Sequence, residues 1–203
     1  MMFVTKPAPS EARPPSSGWR GRRLWLGVAV VLASWHAGHS AAQADAQETE
    51  YKVKAAYLYK FTNYVQWPPV ALADADASLV IGVVGADKLG DELAQMVAER
   101  RPDTRPVRVR KLRHDEPATG LHMLFVGRAE NPHVAQVLVG LRGKPVLTVT
   151  ESDAGFNAGS IINFVIDDDK VRFDVAPRQS ELANLKISAR LMAVARKVAG
   201  GGS

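Results

Sequence analysis

The stretch from Glu50 to Pro69, EYKVKAAYLYKFTNYVQWPP, constrains the fold of this chain more than any other. Tyr51, Ala55, Leu58, Thr62 and Val65 recur at spacings of four, three, four and three, which lays one stripe along a helix. Tyr59 and Phe61 flank that stripe with ring surface, and Lys52, Lys54 and Lys60 are expected to hold their ammonium groups in water. Trp67, Pro68 and Pro69 end the helix, because proline lacks the N–H donor and turns its predecessor away from helical geometry. A helix this rich in aromatic rings is not stable facing water. The rest of the fold has to close over it.

The 203 residues are enough for one domain with a proper core and too few for two comfortable ones. The first part does not read as fold. Arg20, Arg22 and Arg23 precede the apolar run Leu24 to Ala33, and small residues follow through Ala44. That is the order of a secretory signal over residues 1–44, with Ala42-Gln43-Ala44 as the cleavage site. A retained anchor is the alternative, but the apolar run is short for a bilayer. Arg22-Arg23-Leu24-Trp25-Leu26 loosely resembles a twin-arginine signal, yet nothing downstream needs folded export, so the ordinary secretory route is expected. The proline-rich stretch before Arg20 is long for a leader's first region and suggests a mis-assigned start.

Charge follows from the same division. The chain carries a formal net charge of +5 from 26 Lys and Arg against 21 Asp and Glu. Five of the bases and one acid lie in residues 1–44, leaving 21 against 20 in residues 45–203, a balance of +1. No nucleic-acid footprint remains. There is no cysteine, which rules out disulfides and a lipidated cysteine anchor.

After the loop Ala71 to Ser78, the run Leu79 to Val84 has the continuous β-branched character of a strand buried on both faces. A helix is expected from Asp87, as its N-cap, to Arg100, with Leu89, Leu93, Met96 and Val97 inward. Pro106 to Leu112 alternates as a half-exposed strand. Leu121 to Val126 is a strand, Asn131 to Leu141 a helix, and Pro145 to Val149 a strand. Ser160–Ile166 and Val171–Val175 flank Asp167-Asp168-Asp169-Lys170 as an antiparallel hairpin, with Asn163 opposite Asp174. Arg178 to Ala183 is a short helix closed by Asn184, and Leu185-Lys186-Ile187 can run extended. Ser188 then caps a helix expected through Val198, with Leu191, Val194 and Val198 on its buried stripe. The fold class is α/β. A single-domain sandwich over residues 45–199 is expected, with a mostly parallel sheet of about six strands, a C-terminal hairpin, helices on its faces and a frayed tail at 200–203.

No catalytic constellation is visible. His114, His122 and His133 lack metal-ligand spacing, and no G-x-S-x-G elbow surrounds a serine. The Asp167–Asp169 run lacks the later glycine and glutamate of an EF-hand and suits a hairpin tip. The glycines of Gly82 to Gly90 fit neither a dinucleotide fingerprint nor a P-loop, so a structural turn is preferred. No cofactor or metal is expected. The best candidate is a ligand site. Lys186 and Arg190 flank the Ser188 cap, where two cations could hold a carboxylate or phosphate, or could simply be solvated; both readings stay open. Trp67 beside Gln66 is core on its own, and a stacking wall if that cationic segment lies near.

Glu50 to Phe61 with Trp67-Pro68, Ile81 to Gly85, Gly159 to Phe164, Lys170 to Phe173 and Leu185 to Ser188 together resemble the YfiR/HmsC-like family, in order over nearly all of residues 48–198. The resemblance implies a periplasmic regulator and not an enzyme. It would hold an inner-membrane diguanylate cyclase in check, limiting cyclic-di-GMP and biofilm formation, and would be sequestered by an OmpA-like outer-membrane lipoprotein. It also implies an α/β sandwich and a homodimer, with a ligand pocket near Gln66, Trp67, Lys186 and Ser188. A studied type of member carries arginine or histidine where this chain has Gln66, Lys186 and Ser188, so the same ligand preference is not implied. Redox control is not expected, because the cysteines of some relatives are missing.

Overall fold

Residues 45–64 form helix α1, the element implied by the aromatic stretch. The structure is a computed structural model that describes residues 45–72, 78–100, 105–113 and 115–200. The leader expected over 1–44, most of the loop after Pro69, His114 and the last three residues lie outside the described residues. Ala55, Leu58 and Phe61 are fully buried, whereas Tyr51 and Thr62 sit at the margin of the stripe. The Phe61 ring lies 5.9 Å from Phe164 and 5.2 Å from Phe173, and Tyr57 lies 5.5 Å from Phe173. Those separations are in the range where stacked and edge-on rings attract. Each such side chain withdrawn from water contributes about 1.5–3 kcal/mol.

One expectation for α1 fails. Lys52 and Lys60 are exposed, but Lys54 is wholly buried, its ammonium paired with Glu50 one turn earlier and with Glu151. Burial of a lysine is tolerated here because two carboxylates replace its water.

The helix stops at Tyr64, and Val65–Gln66 becomes strand β1. A 3-10 turn over Pro69–Leu72 leads towards β2 (Leu79–Val84), which is followed by α2 (Asp87–Glu99) and β3 (Val107–Leu112). Asp87 is the first helical residue of α2 and not its cap, so it acts on the helix dipole without an N-cap hydrogen bond. Then come β4 (Met123–Val126), α3 (Val134–Val139) and β5 (Leu147–Thr150). The helix expected from Asn131 begins later because residues 128–130 make a separate 3-10 turn. The chain continues through α4 (Asp153–Asn157), β6 (Ile162–Asp167), β7 (Lys170–Val175) and α5 (Pro177–Leu182). It ends in β8 (Lys186–Ile187), α6 (Ala189–Ala193) and β9 (Lys197–Val198).

The main sheet has seven strands in the order β3-β2-β4-β5-β6-β7-β9, and β1 pairs with β8 in a separate antiparallel ribbon. Strands β3, β2, β4, β5 and β6 run parallel to one another, and β7 returns antiparallel to β6 with Asn163 opposite Asp174, as expected. Asp168 and Asp169 have φ of 48° and 56°, the left-handed pair that a two-residue hairpin turn requires. One face of the sheet packs Ile81, Val83, Met123 and Phe125 against α1, α2 and Leu191 of α6. The other packs Val84, Leu124 and Val126 under Val134 and Leu138 of α3. The α/β sandwich read from the sequence is therefore the fold, with one strand more than expected.

That extra strand corrects the C-terminus. The helix expected through Val198 ends at Ala193, and Val194 is 64 % exposed instead of buried. Strand β7 would otherwise leave carbonyls unpaired at the sheet edge, and a helix cannot satisfy them. The chain extends instead: Arg196 N–H donates to Phe173 O at 2.9 Å and Ala199 N–H to Val175 O at 2.7 Å. The Arg196 guanidinium donates twice to the buried carboxylate of Asp174, at 2.9 and 2.5 Å. That hydrogen-bonded carboxylate raises the arginine pKa above its ordinary value.

Candidate functional site

The β1–β8 ribbon brings together two segments far apart in the chain. Gln66 stands opposite Lys186 and Val65 opposite Ile187, and Ser188 N–H donates to Tyr64 O at 2.9 Å. Beside this ribbon lies a cleft of about 540 Å³, lined on one side by Gln66, Trp67, Pro68 and Pro69. Glu181, Asn184, Leu185 and Lys186 line the other side. Its volume is within the range of small-molecule sites.

Trp67 is fixed from behind. It is 8 % exposed, and its indole N–H donates to the His122 carbonyl at 3.0 Å, a carbonyl that also accepts Leu147 N–H. The His122 ring stands edge-on to the indole at 6.3 Å. Its Nδ1 accepts Val80 N–H at 3.0 Å and its Nε2 donates to Ala71 O at 2.9 Å, which fixes one neutral tautomer. A rigid ring at the head of the parallel strands thus holds the wall of the cleft.

Gln66, Trp67 and Lys186 therefore meet, whereas Ser188 and Arg190 are not among the residues lining the cleft. The Ser188 hydroxyl accepts Leu191 N–H at 3.3 Å as the cap of α6, and Arg190 is exposed. Because α6 has only five residues, its start offers little dipole to a ligand. Glu181 was not singled out in the sequence, and Asn184 was read only as the residue that closes a helix. Asn184, at φ 54°, turns the chain from α5 into β8, so the left-handed residue was legible but its place in a cleft was not.

Doubly wound sheets bind ligands outside the carboxyl ends of the strands, where the strand order reverses. Here that point lies between the loops leaving β2 and β4, and it is closed. A Cβ on Gly127 would stand 2.3 Å from Gly85 O, and one on Gly85 would stand 2.7 Å from Cγ of the buried Glu130. Gly85 and Gly127 thus serve close packing, with an acid where a phosphate would need a donor.

Nearby, at the end of β5, Glu151 anchors a cluster of four charges. It pairs with Lys54 and accepts Arg128 N–H at 2.9 Å, while the Arg128 guanidinium lies 3.8 Å from Glu50. The i, i+4 spacing of Glu50 and Lys54 was the visible signal; Glu151 had none. Among the described residues, no group of three His, Cys, Asp or Glu is placed to hold a metal ion. No helix among them is long and apolar enough to cross a membrane.

The fold is an α/β sandwich with a walled cleft at the amino ends of its parallel strands. A family described as YfiR/HmsC-like matches residues 51–196, and the chain belongs to that family, whose role is regulatory rather than catalytic. No curated protein matches the chain.

Proposed function

We propose that this protein is a periplasmic repressor of an inner-membrane diguanylate cyclase, lowering cyclic-di-GMP and biofilm formation. The observation that carries this reading is the family match over residues 51–196, which takes in both walls of the Trp67 cleft. It acts by binding the periplasmic domain of the cyclase as a homodimer, and an OmpA-like outer-membrane lipoprotein relieves the block by sequestering it. The leader-like residues 1–44 support export to the periplasm. Exposed Tyr64 and Val70 lie within two residues of the cleft-lining Gln66 and Pro69 and support a recognition surface there. Co-purification from detergent-solubilised membranes of the native host tests the reading. It is expected to recover a cyclase, and recovery of none would count against it.

A second reading favours the cleft itself: a periplasmic binding module for a small anionic or aromatic ligand. Trp67 offers a face for a flat ring, and Gln66, Lys186 and Glu181 offer polar groups at its edge. The Ser188 hydroxyl caps α6 just after Lys186, and Arg190 stands exposed in that helix. A ligand at 100 times its dissociation constant would add about 2.7 kcal/mol of stability. The two readings join if ligand binding tunes repression. A thermal-shift panel of nucleotides and amino acids with no response would leave repression as the sole reading.

A further inference from the structure

Helices α3, α4 and α5 have six, five and six residues. Each is only about 7–9 Å long, less than half the ~20 Å reach of a six-residue strand, so helices this short leave gaps between them. One gap they leave is a cleft of about 490 Å³. Leu138, Leu141 and Ile161, all buried, line it, and Leu182 stands 61 % exposed at its margin. Helix α5 separates it from the Trp67 cleft: Gln179 and Leu182 line this cleft and Glu181 the other.

Four polar side chains line it as well, Arg142, Thr148, Asn157 and Gln179. Thr148 Oγ1 is occupied by Ile161 N–H, whereas among the described residues Arg142 has no ion pair and the Gln179 side-chain amide no hydrogen bond. Water on an apolar floor gains little, whereas an apolar body seated there would release it. A guanidinium recognises a carboxylate through charge-assisted hydrogen bonds.

We propose that this cleft binds a small monocarboxylate with an apolar body, its hydrocarbon on the Leu138–Leu141–Ile161 floor and its carboxylate on Arg142, with the Gln179 amide donating to it. The proposal is independent of the Trp67 cleft and of the repressor reading.

The test titrates the purified protein with octanoate, and with 1-octanol as its uncharged counterpart, following backbone amide shifts. Octanoate is expected to bind saturably at millimolar concentration, with shifts centred on α5 and residues 138–142. Arg142→Gln is expected to weaken octanoate about tenfold, the scale of one charged hydrogen bond, and to leave octanol unchanged. Leu182→Ala, at an exposed position, weakens both ligands, and Arg172→Gln, an exposed cation away from the cleft, leaves both within twofold. The proposal is overturned by absence of saturable binding, by equal octanoate affinity in Arg142→Gln, or by an equal loss of octanoate affinity in Arg172→Gln. Appearance of the same shifts on raising the protein concentration alone would identify the occupant as a second copy and overturn it as well.

Discussion

Lys54 and Glu151, 97 residues apart in the chain, form one ion pair buried between helix α1 and the end of β5. The lysine is fully buried and the glutamate side chain is 7 % exposed, so removing one partner strands a charge away from water. Lys54→Met is therefore expected to destabilise the fold by about 3–5 kcal/mol, read from urea denaturation midpoints. The double change with Glu151→Gln is expected to cost less than the sum of the two single changes. A Lys54→Met loss below about 1 kcal/mol would mean the pair is hydrated in solution.

The last strand depends on Asp174. With Arg196→Ala, the bidentate hold on its carboxylate disappears, and the two-residue β9 is left with its pairing to β7 and the flanking backbone bonds from residues 196 and 199. Amide exchange at Arg196 and Ala199 is expected to quicken strongly, with exchange in β4 and β5 unchanged. Uniform protection across the sheet in this variant would show that β9 is held by other means.

The closed crevice gives a cleaner packing test. Gly127 has φ −75°, which any residue tolerates, so Gly127→Ala fails only through the collision of its Cβ with Gly85 O. A loss of about 1–3 kcal/mol is expected in thermal unfolding. A neutral result would mean that the β2 and β4 loops separate easily and that the crevice opens.

The helix, the strands and the hairpin register were legible because their signals are local: aromatic spacing in Glu50–Pro69, β-branched runs, and a turn between Asn163 and Asp174. Lys54 was misread because its partner Glu151 is distant in sequence, and an amphipathic pattern alone places lysine in water. The C-terminal helix was overextended because Leu191, Val194 and Val198 fit a helical stripe, while the need of β7 for an edge partner is visible only in three dimensions. Of the residues lining the cleft, Trp67 and Lys186 were singled out beside the proline stop and the Ser188 cap, and Gln66 only through the family resemblance. Ser188 and Arg190 were grouped with them by sequence proximity, but the β8 pairing and the α6 cap leave them outside the lining residues.

Trp67 is its own reporter. Trp19, Trp25 and Trp35 all lie within residues 1–44, so a form lacking that segment fluoresces from Trp67 alone. Its burial predicts blue-shifted emission, and a flat anionic ligand in the cleft is expected to change its intensity. Lys186→Ala is expected to weaken such a ligand by roughly fivefold, as for an exposed charge pair. Emission typical of hydrated indole, or ligand affinity untouched by Lys186→Ala, would count against the cleft as drawn.

The most direct test of the regulatory reading is cellular cyclic-di-GMP in a strain lacking this gene, measured beside the same strain carrying the gene again. The account predicts a rise on deletion and a return to the parental level on complementation. Cyclic-di-GMP that stays at the parental level in the deletion strain would contradict it.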